Sequence, residues 1–230
     1  MSEKRLEKAV KLNKEDELSG AQRAAREIFD WIQTFCGALL FGVILFTFFF
    51  RIVTVDGESM TQTLQNGDRL IISNLFYEPA RGDIVVVHDT ETKIMMGQDA
   101  FSGPIIKRVI ATEGEKVKID YNNWTVTVTD VNGKETVLQE PYVNYIFYDE
   151  TNVLKPIKSP ERIIYPDSIA NNVEHTVKEG CVFVCGDNRS NSLDSRYVGD
   201  VDKRKILGKA LFRVFPFNAL GALYHAEYNT

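Results

Sequence analysis

The chain has 230 residues, of which 44% are hydrophobic and 26% charged, a balance that excludes a disordered polar tail and suits one large or two small folded domains. Its formal net charge is −5 and no basic stripe runs along it, which argues against nucleic acid as a partner. Three cysteines without metal-like spacing argue against a zinc site.

Residues 1–18 are densely charged and are predicted to be a mobile segment. "SGAQRAAREIFDWIQ" then has a helical pattern with Ser19 as its cap. It runs into "WIQTFCGALLFGVILFTFFF", residues 31–50, twenty residues without a charge. A helix of that length crosses a bilayer. Twelve of the twenty are Leu, Ile, Val or Phe. They sum to roughly −5 kcal/mol on the insertion scale, enough to offset Gln33 and the threonines. Buried core helices rarely run so far without a charge. A cleaved signal peptide would have a shorter apolar region ending in small residues, whereas this one ends in "FFFRIV". The expectation is an uncleaved transmembrane anchor. Lys4, Arg5, Lys8, Lys11, Lys14, Arg23 and Arg26 precede it, and only Arg51 and Arg69 follow before Arg81. The excess of basic residues predicts residues 1–30 in the cytoplasm and residues 51–230 outside the membrane.

Beyond the anchor, "VDGESMTQTL" presents Ser59 between a glutamate and a methionine. Strand signals then dominate: "GDRLIIS", "GDIVVVH", "PIIKRVIA", "CVFVCG" and "GKALFRVF" are short apolar runs. "NWTVTVTDVNGKETVLQ" alternates, with Trp124, Val126 and Val128 on one face and Asn132-Gly133 as the tight turn of a hairpin. The stretches 89–103 and 145–172 are predicted loops. Cys181 and Cys185 bracket a strand, about 13 Å apart and too far for a disulfide. The expected class is mainly β.

A serine nucleophile needs a base and an oxyanion donor. The three histidines, His88, His175 and His225, lie in no distinctive setting, and Ser59 is not in a G-x-S-x-G elbow. Lys107 in "PIIKRVIA" has Ile105 and Val109 on its own strand face. It is either an edge-strand lysine that discourages aggregation, or a buried amine neutralised by desolvation and able to take a proton. A fall in its pKa to near 7 would cost about 4 kcal/mol. A third stretch, "GDNRSNSLDSRYVGDV" from Gly186 to Val201, is by itself a polar loop of turn formers.

In this order "GESM", "RGDIVVV", "IIKRVI" and "GDNRSNSLDSR" resemble the bacterial type I signal peptidases, in their Gram-positive form with one N-terminal anchor, over roughly residues 25–218. The resemblance implies a β-rich catalytic domain with a smaller β insertion, roughly residues 116–179. It implies Ser59 as nucleophile, Lys107 as general base, and Ser192 as the serine that hydrogen-bonds and orients that lysine. Asp187, Arg189, Asp194 and Arg196 form a polar scaffold, and Arg108 pairs with one of its acids. The Ser59 N–H serves the oxyanion. Gly57 stands where some members add a serine hydroxyl, which leaves the second donor open. Gln62 stands where the family usually has proline. Val53, Val55, Met60, Val86, Ile105 and Ile106 fall where shallow pockets admit small residues at −3 and −1 of the substrate, though plain core packing explains each equally well. The substrates implied are exported preproteins, met at the surface of the lipid bilayer, with no metal or organic cofactor needed. Two rivals share the pattern: another Ser-Lys peptidase, such as a self-cleaving repressor, and a non-catalytic factor for pilus assembly. The anchor argues against the first; the presence of both serine and lysine argues against the second.

Overall fold

A computed structural model of the chain describes residues 20–89, 103–122, 124–143 and 169–223. The chain divides into two units, residues 1–48 and 49–230. Among the described residues the first holds one helix, α1 (Gly20–Phe49, 30 residues), about 45 Å long at about 1.5 Å per residue. Trp31, Phe35, Leu39, Leu40 and Phe41 are all more than half exposed. From Gln22 to Ile44 it is apolar enough to cross a membrane, and none of that span is buried in protein. Thr34 and Thr47 donate their hydroxyls to the carbonyls of Asp30 and Val43, at 2.8 and 2.7 Å, which satisfies both side chains without water. The helix ends one residue before the expected boundary. Phe50 opens a strand, because Ile52, Val53 and Thr54 are β-branched and favour extended backbone. Residues 1–18 and the expected cap, Ser19, lie outside the described residues.

The second unit is mainly β. In chain order its strands are β1 (Phe50–Thr54), β2 (Arg69–Ser73), β3 (Ile84–Val87), β4 (Ile105–Thr112), β5 (Lys116–Asp120), β6 (Thr125–Thr129), β7 (Glu135–Val137), β8 (Glu174–Thr176), β9 (Cys181–Cys185), β10 (Val201–Asp202), β11 (Ile206–Phe215) and β12 (Gly221–Ala222). An antiparallel sheet runs β1-β2-β11-β3-β4-β9-β10, with β12 added on β11. A second antiparallel sheet runs β7-β6-β5-β8, all between Lys116 and Thr176. A short helix, α2 (Ser195–Val198), is capped by the Asp194 side chain.

The strand β3 is buried on both faces, which explains its unbroken apolar run. Ile84 and Val86 enter one core cluster with Val55, Met60, Leu64 and Ile72. Val85 and Val87 enter another with Val109, Val182 and Val184. A third cluster joins the two sheets: Val117, Ile119, Val126 and Val128 pack with Ile110, Phe183 and Cys185. Full burial of each such side chain is worth roughly 1.5–3 kcal/mol.

Two local expectations change. Trp124 packs on the same cluster as Val126 and Val128, but it lies in a turn before β6, with φ +49°. Asn132-Gly133 is not a two-residue hairpin turn. The loop runs from Asp130 to Lys134, and Asp130 Oδ1 accepts the N–H groups of Asn132 and Lys134, at 2.8 and 2.9 Å, while Gly133 takes φ +85°. The carboxylate's bonds to two amides favour the longer loop. Most of the two predicted loops, residues 90–102 and 144–168, lies outside the described residues.

Candidate active site

Ser59 sits in a hydrogen-bonded turn between β1 and β2. The Glu58 carbonyl accepts the Thr61 N–H at 3.1 Å, and the Met60 carbonyl accepts the Leu64 N–H at 2.9 Å. Met60 and Leu64 bury their side chains in the core and hold the turn down, leaving Ser59 half-buried. The Ser59 N–H donates to no protein group among the described residues. Gly57 adopts φ +104°, and Asn66 Oδ1 takes its N–H at 3.1 Å. That backbone favours glycine. Gln62 adopts φ +98°. Proline, locked near −65°, does not fit at that position of the turn.

Lys107 lies in β4, an interior strand between β3 and β9, directly across from Val85. The edge-strand reading is therefore wrong. The side chain is 3% exposed. Its Nζ lies 2.8 Å from Ser59 Oγ and donates to the Ile106 carbonyl at 3.1 Å. Burial lowers its pKa to about 8; the Asp194 carboxylate opposes this and the Arg196 guanidinium assists.

Ser192 is also buried here, yet no hydrogen bond to Lys107 forms. This corrects the expected orienting contact. The Lys107 donors go to Ser59 and to the Ile106 carbonyl, and Ser192 Oγ instead packs against Gly186, where any β-carbon would collide with that hydroxyl and with the Ser59 carbonyl. Ser192 Oγ makes no hydrogen bond of normal geometry, although its hydroxyl helps to keep Asp194 ionised.

Around the pair stand three buried arginine–carboxylate pairs. Arg108 Nε and Nη2 meet Asp187 Oδ1 and Oδ2 at 2.9 and 2.7 Å, and Arg108 Nη1 donates to the Gly82 carbonyl at 2.8 Å. Asp187 Oδ2 also takes the Thr63 hydroxyl at 2.5 Å. Arg196 Nε and Nη2 meet Asp194 Oδ1 and Oδ2, both at 2.8 Å. Burial works against ionisation of Asp194, but Arg196 and the Gly186 N–H hold its pKa below the usual range. Arg189 pairs with Glu140, an acid that the sequence reading missed because "LQEPYV" has no pattern to mark it. Bidentate pairs of this kind fix angle as well as distance.

Among the pocket candidates, Val53, Val55, Met60, Val86 and Ile106 share one apolar cluster beside the Ser59 turn. Ile105 does not join them. It packs on the opposite cluster, since neighbours along a strand face opposite ways. Met60 and Val86 are only 1% exposed, so only the partly buried Val53 has surface to offer a ligand directly. Of the histidines, His88 is exposed, His175 lies 2.7 Å from Asp200 Oδ1, and His225 is outside the described residues.

A hydroxyl and a buried, easily deprotonated amine at hydrogen-bond distance, beside an unused backbone donor, form the kind of site that serves acyl transfer. Comparison with known proteins gives the same class. The family model for signal peptidases, peptidase family S26, matches residues 28–215. Signal peptidase IB of Staphylococcus aureus (strain COL) is 31% identical over 210 residues, covering 88% of this chain and 97% of that protein. A probable signal peptidase I-2 of Synechocystis sp. is 33% identical over 200 residues, covering 84% of this chain and 77% of that protein. A crystal structure of a signal peptidase I from Enterococcus faecalis V583 is 30% identical and covers 58% of this chain and 97% of its own, with a TM-score of 0.36. The chain belongs to the signal peptidase family S26, and it is a serine peptidase of the signal peptidase I type.

Proposed function

We propose that the protein is a membrane-anchored endopeptidase that removes signal peptides from exported preproteins, with Ser59 as nucleophile and Lys107 as general base. The observation that carries this reading is the 2.8 Å approach of Lys107 Nζ to Ser59 Oγ, with the amine buried and its pKa lowered to about 8. Neutral Lys107 takes the hydroxyl proton as Ser59 Oγ attacks the scissile carbonyl. The Ser59 N–H receives the developing oxyanion. Collapse breaks the C–N bond, and Lys107 returns its proton to the leaving amine, the new N-terminus of the mature protein. Water then attacks the ester, losing its proton to Lys107. The signal peptide leaves with a carboxyl group, and Ser59 recovers its hydroxyl.

The helix α1 fits a single-pass anchor, and the basic residues before it favour a cytoplasmic N-terminus with the β-rich unit outside. Val53 offers partly exposed apolar surface beside the buried Met60, Val86 and Ile106. Such a surface discriminates by size and favours small residues at −3 and −1. Incubation of the purified protein with a secretory precursor ending in A-x-A, followed by sequencing of the new N-terminus, tests the reading. Cleavage is expected directly after the −1 alanine. Replacement of that alanine with leucine is expected to reduce kcat/KM by at least about 100-fold, since a methylene too many in a tight pocket costs roughly 1–3 kcal/mol and leucine adds three carbons. Efficient cleavage after leucine would assign the chain to a different specificity.

A further inference from the structure

We propose that Glu140, supported by Tyr142, is a positioning residue for the cleavage reaction: it sets the loop that grips the backbone of Ser59 and thereby holds Ser59 in line with Lys107. This rests on the reading of Ser59 and Lys107 as the reacting pair.

Glu140 belongs to neither of the segments that carry the pair. It follows β7 of the second sheet, in a stretch anchored by the burial of Leu138, Tyr142 and Val143. Both of its carboxylate oxygens are engaged by Arg189: Nη2 donates to Oε1 at 2.6 Å and Nη1 to Oε2 at 3.0 Å. The Tyr142 hydroxyl donates to Oε1 at 3.0 Å. The remaining Arg189 donor, Nε, reaches the Gly186 carbonyl at 2.8 Å, and the Arg189 carbonyl accepts Arg196 Nη1 at 2.9 Å. Between Gly186 and Arg189 the loop meets the nucleophile. The Asn188 N–H donates to the Ser59 carbonyl at 3.0 Å, and Asn188 Nδ2 donates to the Glu58 carbonyl at 3.0 Å. A continuous path of hydrogen bonds and one short loop thus leads from Glu140 to the nucleophile's own peptide.

The same stretch also touches the base's side of the site. The Tyr142 ring lies 4.1 Å from the Arg108 guanidinium, and Arg108 follows Lys107 in β4. Arg108 grips Asp187, which takes the Thr63 hydroxyl from the far end of the nucleophile turn. One segment of the second sheet therefore braces the chain neighbours of both reacting groups. A proton transfer across 2.8 Å is sensitive to displacements of well under an ångström, so a loosened brace lowers turnover before it lowers substrate affinity.

The test uses the full-length enzyme with an A-x-A precursor, assayed well below the melting temperature of every variant. Glu140→Gln keeps the volume but removes the bidentate charge. It is expected to lower kcat at least about tenfold with KM within about twofold. Tyr142→Phe removes only the supporting hydroxyl and is expected to lower kcat about two- to fivefold at nearly unchanged Tm. Val201→Ala, in a different core cluster from the Glu140 stretch, is the control for general loosening: its Tm falls while kcat and KM stay within about twofold of wild type. Wild-type kcat in folded Glu140→Gln would overturn the proposal, as would an equal kcat loss in Val201→Ala. If Glu140→Gln does not fold, wild-type kcat in Tyr142→Phe overturns it. Ser59→Ala, run alongside, keeps the two claims apart. Cleavage by Ser59→Ala would remove the reacting pair itself. An inert Ser59→Ala beside a fully active Glu140→Gln would remove the brace alone.

Discussion

Lys107→Met is expected to be inactive and yet no less stable than the wild type. The lysine stem packs in an interior strand, and methionine keeps most of that packing. What it removes is the work of burying a cation. The fall from 10.5 to about 8 corresponds to about 3 kcal/mol at about 1.4 kcal/mol per pH unit. Loss of the bonds to Ser59 and Ile106 takes back about 1–2 kcal/mol, so a net gain of about 1–2 kcal/mol is expected near neutral pH. The folded pKa lies below the unfolded one. Between about 8 and 10.5 the unfolded chain therefore binds more protons, and wild-type stability rises with pH through that window. The advantage of Lys107→Met is thus full below about pH 8 and fades towards about pH 10.5. Over the lower range, wild-type kcat/KM climbs with pH and levels above about 8, as the free enzyme's amine loses its proton. Denaturant unfolding at several pH values measures the stability difference. A variant markedly less stable than wild type at pH 7, or an active one, contradicts the account.

Asp194→Ala is expected to have the opposite signature. It leaves the fully buried Arg196 without its carboxylate, and breaking a buried pair from one side costs about 3–5 kcal/mol. The Gly186 N–H and the N-terminus of α2 lose an acceptor at the same time. Asp194 is also the main charge that raises the Lys107 pKa. Where Asp194→Ala remains folded, its kcat/KM should therefore begin to rise at lower pH than that of the wild type. Thermal unfolding and the pH profile read the two effects separately. Unchanged stability would show that the pair is not integral to the loop; an unchanged pH limb would show that Asp194 does not act on the amine.

The parts of this site that could be read from the chain were those with a pattern of their own. Ser59 and Lys107 are 48 positions apart, but each lies in a stretch whose composition is unusual for its setting: a serine turn after an apolar run, and two adjacent cations in an apolar strand. The polar loop after β9 was readable because nearly every residue from Gly186 to Arg196 is a turn former or a charge. Glu140 was not readable. Its partner Arg189 is 49 positions away, and only the fold brings the second sheet's trailing segment against the loop. Strands β1, β5 and β8 escaped for a related reason. "KVKID" and "EHT" carry charges on their outer faces and draw their strand character from pairing, not from an apolar run. The Ser192 contact failed at the finest scale. Loop spacing brings its hydroxyl into the site, but there the hydroxyl packs against Gly186 and makes no hydrogen bond to Lys107.

Orientation of a hydroxyl within such a site is a matter of tenths of an ångström, whereas the identity of the nucleophile is a matter of chemistry. The most direct measurement is therefore cleavage of an A-x-A precursor by purified full-length Ser59→Ala, compared with the wild type under single-turnover conditions. The substitution deletes one oxygen atom beside Lys107 and leaves the buried arginine pairs intact. A folded protein that forms no mature product is expected, with a rate loss of at least about 1,000-fold. Mature product formed at the wild-type rate by that variant would contradict the account.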